Sequence, residues 1–347
     1  MTDRPTGSPA TPGRAAPEAP EASEAAVSPE AAVERLAAAG AAVLEGVGHA
    51  VVGTREPLRV ALAAVLAGGH VLFEDLPGLG KTLVARSLAQ ALGLGFRRLQ
   101  CTPDLLPSDV TGSSIFDPVG RSFDFQPGPV FTGLLLADEI NRTSPKTQSS
   151  LLEAMAEGQV SVEGSTRTLP VPFHVFATSN PIEFEGTYPL PEAQLDRFLV
   201  RLSLGYPTAA AEADIVSRRL VRGLAEPVLD AVLDPRELRR LQESLSRVPV
   251  SPDIVAYAVR LAAASRELDE IQVGASPRGS QALVLLSRAV AALDGRAYVV
   301  PEDVKAVAVP ALAHRLVLSP AAWARGADPV ELVRRLTAAV PVPATAP

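Results

Sequence analysis

The chain has 347 residues, 47% hydrophobic and 20% charged, with a net charge of −7 at pH 7 and a pI near 5.3. That acidity argues against a broad nucleic-acid footprint, and no apolar run approaches the ~18 residues of a membrane span. A single cysteine, Cys101, excludes an intramolecular disulfide, and a start without a signal-peptide apolar core makes the cytoplasm the expected location.

Residues 1–28 are rich in Ala, Pro, Glu, Ser and Thr, with Pro5, Pro9, Pro12, Pro17 and Pro20 interrupting any helix. Such a composition predicts a disordered tail. From 29 to 46 an Ala-rich stretch places Val33, Leu36, Val43 and Leu44 on one helical stripe. A second helix is expected over 56–67, ended by Gly68 and Gly69. Between the two, Val52 and Gly53 form an apolar turn whose backbone groups suit the edge of an adenine base. A plain loop-to-helix connection accounts for the same two residues.

An apolar run over 71–73 then leads into Pro77-Gly78-Leu79-Gly80-Lys81-Thr82, followed by the periodic run that starts at Leu83. Strand, glycine loop and helix in that order read as a phosphate-binding loop. Gly78 and Gly80 let the backbone turn and expose its N–H groups, and the helix start adds its positive end. Lys81 then reaches the β- and γ-phosphates and the Thr82 hydroxyl ligates Mg²⁺. The strict pattern G-x-x-x-x-G-K-[ST] has glycine where this chain has Asp75.

A second strand is expected over 96–101. The Pro- and Gly-rich segment 102–129 reads as an insertion, with short paired strands at 113–116 and 121–125. The uninterrupted apolar run 134–137 suits a strand buried on both faces of a parallel sheet. It ends in Asp138 and Glu139, where ligands bind in open α/β sheets. Asp138 is the expected second Mg²⁺ holder and Glu139 the group that orients and polarises the attacking water. A helix over 144–156, a hairpin of 159–162 with 167–171, and a buried strand over 173–178 follow. That last strand should neighbour the one bearing Asp138, bringing Asn180 to the γ-phosphate or the water. Residues 190–198 look helical and 199–204 close the sheet. From 208 onward the pattern is almost wholly helical and predicts a second, smaller domain. There Arg278 stands at a helix start, where a cation opposes the helix dipole unless an anion shares the site; a solvated arginine is the alternative. The four histidines, His49, His70, His174 and His314, lack metal-ligand spacing.

Taken together, these residues resemble a MoxR-type AAA+ ATPase over about residues 33–335. The resemblance is carried by the phosphate loop, by Leu135-Leu136-Ala137-Asp138-Glu139-Ile140-Asn141-Arg142, by Ala177-Thr178-Ser179-Asn180-Pro181, and by the dense run from Glu185 through Tyr188 and Asp196 to Phe198. It implies an α/β fold: a P-loop AAA+ parallel sheet flanked by helices over 29–207, with a C-terminal all-helical lid over 208–347. It implies Lys81 and Thr82 as Walker A, Asp138 and Glu139 as Walker B, Asn180 as sensor 1 and Arg278 as sensor 2. Arg197 would be the arginine finger acting on a neighbour's ATP, with Arg142 as its competitor. Gln100 resembles the polar switch residue that restrains the catalytic glutamate. ATP and Mg²⁺ are the implied cofactors. The implied partners are further copies in a ring, a hexamer by resemblance, and a protein client remodelled or matured together with a von Willebrand factor A-domain protein. Lid movement would follow from Arg278 gripping and releasing the γ-phosphate. Thr54 and Gly133 depart from the common Gln and Asn. Two related motors, of restriction and of metal-chelatase systems, share the layout, and a nucleotide-gated binding module is the non-enzymatic rival.

Overall fold

A computed structural model describes residues 28–181, 186–223 and 225–343. The tail expected over 1–28 therefore lies outside the described residues, except for Ser28. That residue caps the first helix, α1 (Pro29–Gly48), accepting from the Ala31 N–H, with Pro29 in the first turn. α2 (Arg55–Leu66) follows, then β1 (Val71–Glu74), α3 (Lys81–Ala91) and β2 (Phe96–Gln100). The insertion consists of α4 (Pro107–Thr111) and the hairpin β3 (Gly112–Asp117) and β4 (Ser122–Pro127). β5 (Leu134–Asp138) is buried at every position, as its apolar run requires.

α5 (Pro145–Glu157) leads to a second hairpin, β6 (Gln159–Val162) with β7 (Ser165–Thr168). Its return strand starts two residues before the expected 167, because Glu163 and Gly164 both take positive φ, 52° and 77°, and close a two-residue turn. β8 (His174–Ser179) and a single helical turn, α6 (Glu192–Leu195), precede β9 (Val200–Leu202). The helix expected over 190–198 is this short because Asp196 is drawn toward the C-terminal helices and Phe198 is fully buried.

The five central strands are all parallel, in the order β2-β5-β8-β1-β9. β8 thus neighbours β5, as the sequence led us to expect, with β1 on its other side, and the C-terminal ends of all three meet at one edge. Helices cover both faces. One core lies between the sheet and α5, with Leu72, Leu135, Leu151 and Val175. The other is larger, running from Leu36, Leu62 and Phe73 into the helices after β9.

Those later elements are α7 (Ala209–Arg222), α8 (Pro235–Leu245), α9 (Pro252–Ala264), β10 (Ile271–Val273), α10 (Pro277–Leu293), α11 (Pro301–Leu312), β11 (Val317–Leu318), α12 (Pro320–Ala324) and α13 (Pro329–Ala339). β10 and β11 form a small antiparallel ladder within the helical domain; strands of two or three residues are too short to show a period. Tyr257, Leu283, Leu286 and Val307 of this domain belong to the same apolar cluster as α1, α2 and β1. The helical domain is therefore packed into the main body, with one exception: α7 buries none of its side chains. Among the described residues no helix is long and apolar enough to cross a membrane.

Two histidines pin the sheet from inside. His70 Nε2 donates to the Met155 carbonyl (3.1 Å) and its Nδ1 accepts from Val175 N (2.9 Å). His174 Nδ1 donates to the Gly69 carbonyl (2.9 Å) and its Nε2 accepts from Gln242 of α8 (3.1 Å). Each ring is used as one donor and one acceptor, so only the neutral form fits. Burial, with a further push on His70 from His174, lowers both pKa values to about 4. An unfolded histidine protonates near 6.5. Between those values the unfolded chain binds more protons than the folded one, so stability falls as pH drops. Each ring should contribute a slope of up to about 1.4 kcal/mol per pH unit. Urea unfolding at pH 7, 6 and 5 should show a steady loss of stability across that window; a flat profile would contradict the neutral assignment.

Candidate active site

β1 ends at Glu74 and α3 begins at Lys81, so six residues turn between them. Gly78 and Gly80 take φ of 83° and 88°, a region L side chains avoid. A Cβ on either would meet no protein atom within 4 Å. The conformation and the cavity beside it ask for glycine here, and no packing neighbour does. The start of α3 directs its N-terminal N–H groups and dipole at the same space.

That space is a cavity of about 410 Å³. Pro77, Gly78, Gly80, Lys81, Thr82 and Leu83 form one wall. Arg98, Asp138, Glu139, Thr178, Ser179 and Asn180, from the ends of β2, β5 and β8, form the other. Lys81 Nζ donates to the carbonyls of Asp75 (2.6 Å) and Leu76 (3.1 Å), which holds the ammonium within its own loop.

Asp75, the departure from the strict loop pattern, is buried and saturated. Its Oδ2 accepts from Leu204 N (2.6 Å), Gly205 N (2.9 Å) and Ser203 Oγ (3.1 Å), and its Oδ1 from Leu76 N (3.1 Å). A glycine there would leave the chain after β9 without an anchor.

A second cavity of about 250 Å³ shares Gly78, Gly80 and Leu83 with the first. Val51, Val52, Leu79, Pro207 and Ile215 give it apolar walls, and Arg218, Arg219 and Arg222 of α7 stand at its edge. Val52 thus reaches the space expected for a base. Gly53 does not line it: its φ is 81° and its Cα faces Ala211 of α7, whose Cβ would lie 3.1 Å from a Cβ on Gly53. Gly53 therefore permits the close approach of α7. Arg218 fixes α7 at this point, donating to the His49 carbonyl (2.8 Å) and to both oxygens of Asp214 (3.0 Å each).

The acidic wall is a hydrogen-bonded network. Thr178 Oγ1 donates to Asp138 Oδ1 (2.6 Å) and accepts from Glu139 N (2.8 Å). Glu139 has φ 57° and ψ 51°, left-handed for a side chain that disfavours it. Such strain collects where a side chain must be aimed. Glu139 Oε2 accepts from Gln100 Nε2 (3.0 Å) and Arg142 Nη1 (3.2 Å). Arg98 donates to Asp138 Oδ2 from Nε (3.0 Å) and Nη2 (2.6 Å). Cys101, buried beside these carboxylates, has its thiol pushed up to about 12 and is inert at neutral pH.

Arg197 and Arg278 line neither cavity. Asp196 explains where they go. Its Oδ1 accepts from the buried Arg315 (2.7 Å) and its Oδ2 from Ser276 Oγ (3.0 Å), which also caps α10 by accepting from Arg278 N (3.1 Å). Arg278 is exposed and close enough to Arg315 for its charge to be felt there. The clamp brings the chain segments that carry Arg197 and Arg278 together at one seam between the sheet domain and α10. The start of α10, which carries Arg278, is thus tied to Asp196. The run that ends at Phe198 is also anchored at its front, where Tyr188 N donates to the Asn141 carbonyl (2.6 Å) and Gln148 Nε2 donates to the Tyr188 carbonyl (3.0 Å). Glu185 of that run lies outside the described residues.

The model of the ATPase family associated with various cellular activities (AAA) matches residues 70–200, and that of the AAA lid domain matches 263–336. The chain is 47% identical to YeaC of Bacillus subtilis, over 86% of this chain and 93% of that protein. It is 41% identical to Chaperone MoxR1 of Mycobacterium tuberculosis, over 84% and 79%, and 35% identical to Protein MoxR of Paracoccus denitrificans, over 87% and 95%. A crystal structure of a protein from Cytophaga hutchinsonii assigned as an ATPase superposes with a TM-score of 0.84 at 35% identity, covering 90% of this chain and 98% of that one. The chain belongs to the MoxR-type AAA+ ATPases.

In this MoxR-type chain the AAA match contains the phosphate loop, both carboxylates, Asn180 and Arg197, while Arg278 falls in the lid match. Residues 201–262, which hold α7, α8 and most of α9, lie between the two matches. Sequence reasoning missed Arg98, the α7 wall and the bonds of Asp75. Only Asp75 carried a signal, as an acid in a glycine position. Asp75→Gly should restore the strict pattern yet cost about 3 kcal/mol, since charge-assisted bonds are lost and one buried and two partly buried N–H groups lose their acceptor. Urea unfolding checks this, and a variant as stable as the wild type would refute the anchor.

Proposed function

We propose that the chain hydrolyses ATP to ADP and phosphate within a ring of like subunits, and that the cycle drives remodelling or maturation of a protein client. One observation carries the reading: a glycine loop at a helix start and a strained glutamate beside an aspartate stand on opposite walls of one cavity. Backbone N–H groups of 78–83 and Lys81 hold the phosphates, Val52 and Leu79 flank the base, and Gly53 admits α7 behind them. Thr82 and Asp138 face each other with the hard oxygen ligands a Mg²⁺ ion takes, so the residues present fit that ion. Bound there, Mg²⁺ neutralises charge on the transferring phosphoryl group. Glu139 accepts a hydrogen bond from the attacking water and aims it. Asn180 donates to the γ-phosphate or that water. Gln100 and Arg142 restrain Glu139 until it is needed.

Arg197 and Arg278 act on the nucleotide of the adjoining subunit, a reading supported by their absence from the lining of both cavities. Arg142 already bonds Glu139 of its own chain, which favours Arg197 as the finger. The ring is proposed as a hexamer, cytoplasmic, with a von Willebrand factor A-domain protein presenting the client. A relative named a chaperone supports the client side of the proposal.

Glu139→Gln should bind ATP with wild-type affinity and lower turnover by about 100-fold or more, read by fluorescent-nucleotide titration and phosphate release. Unchanged turnover would end its assignment as the water-orienting group. Arg197→Ala should bind ATP and still assemble, but lose about 1,000-fold in turnover of the assembled form. Wild-type activity in an assembled ring of that variant would transfer the finger role to Arg142.

A further inference from the structure

Arg98 sits on β2 two residues before Gln100, so both side chains leave the same face of that strand. β2 pairs with β5 in a register that sets Gln100 opposite Asp138. From there Arg98 makes three bonds. Nε and Nη2 both reach Asp138 Oδ2, at 3.0 and 2.6 Å, and Nη2 also donates to Gln100 Oε1 at 3.0 Å. The amide nitrogen of the same Gln100 donates to Glu139 Oε2 at 3.0 Å. One guanidinium therefore touches the aspartate directly and the glutamate through one amide.

Asp138 has two oxygens. Thr178 occupies Oδ1 with a short bond from inside the sheet, and Arg98 occupies Oδ2 from the cavity side. The side chain of Asp138 is 11% exposed and that of Arg98 47% exposed, so the arginine is the partner with room to leave. A divalent cation and a guanidinium cannot both hold Oδ2: their positive charges repel and they need the same lone pairs. When Arg98 leaves, Gln100 loses the donor that fixes its amide, and with it the orientation that ties down Glu139.

We propose that Arg98 is a positioning residue that competes with the nucleotide's divalent cation for Asp138 and, through Gln100, releases Glu139 only once that cation has taken its place. The proposal rests on the ATPase reading above. Metal loading and the freeing of the water-orienting glutamate become one coupled event, and the coupling is reciprocal: a group that favours release of Glu139 also favours the cation.

The test is Mn²⁺ binding to the full-length chain loaded with ADP, followed by electron paramagnetic resonance, for the wild type, Arg98→Gln and Arg98→Lys. ADP affinity without metal is measured alongside, in chelator. We expect metal-free ADP affinity to change less than about twofold and Mn²⁺ to bind Arg98→Gln roughly 5- to 10-fold more tightly. Arg98→Lys keeps the charge but loses the paired donors and the bond to Gln100, so it should fall between the two. In the Gln100→Ala background, Arg98→Gln should still tighten Mn²⁺ but no longer alter the Mn²⁺ concentration at which single-turnover hydrolysis saturates, relative to binding. Unchanged or weaker Mn²⁺ binding in Arg98→Gln would overturn the proposal. So would Arg98→Lys matching the wild type, because that outcome reduces the effect to net charge. Failure of all three proteins to bind ADP would instead sink the ATPase reading itself.

Discussion

The Asp75 carboxylate is the fixed point on which this site depends. A buried carboxylate is costly unless several donors meet it, and Asp75 is met by two backbone N–H groups and a hydroxyl of the segment leaving β9, with a third N–H from its own loop. These charge-assisted bonds join the start of the phosphate loop to the neighbouring strand of the sheet. The joined segment continues through Gly205 and Pro207 into α7, which walls the second cavity. One side chain thus sets both the glycine-loop wall of the first cavity and the α7 wall of the second. The same residue explains Lys81, whose ammonium rests on the Asp75 and Leu76 carbonyls that the carboxylate holds in place.

Opposite that wall, the constraint is electrostatic. Two adjacent carboxylates at the end of one strand repel each other, and each needs its own donors. Asp138 is served by Thr178 and Arg98, and Glu139 by Gln100 and Arg142. The strained backbone at Glu139 turns its side chain toward β2 and away from Asp138's inner oxygen. Thr178 holds that arrangement by bonding both residues at once, the side chain of one and the N–H of the other. The strand order makes this possible, because β8 carries Thr178 between the loop strand and the acidic strand.

Much of this was legible in the sequence, and the reasons differ by element. Uninterrupted apolar runs marked β5 and β8, and the glycine loop marked β1 and α3, because both signals are local. That the sheet is parallel followed from the motifs together, but of its strand order only the adjacency of β5 and β8 was expected. Arg98 escaped because an alternating charged residue on an edge strand looks like solvent-facing surface. α7 was expected only as part of the helical stretch after 208, and its place at a cavity edge with none of its side chains buried had no local signal. Gly53 was read with its neighbour Val52, and its positive φ, which lets α7 approach, had no signal in the sequence. The placement of Arg278 depends on Asp196, 82 positions earlier in the chain, and no pattern of spacing carries a pairing of that range.

The Asp196 clamp also bears on how the two parts of the chain can move. A lid free to swing over its own nucleotide needs a thin, wet boundary. Here α8 to α11 share one apolar cluster with α1, α2 and β1, and Arg315 is buried with bonds to Asp196 and Phe198 across the join. Breaking a buried pair of this kind by removing one partner costs about 3–5 kcal/mol, a large part of a domain's stability. Opening that seam during every cycle would have to overcome the same contacts. α7 is under no such restraint, since it is held by Arg218 and by the segment after Asp75 and buries none of its side chains. Under the proposed reading, local motion would therefore follow α7 and the nucleotide beneath it. The helical domain would move with its own sheet and carry Arg197 and Arg278 as a fixed pair toward the next subunit.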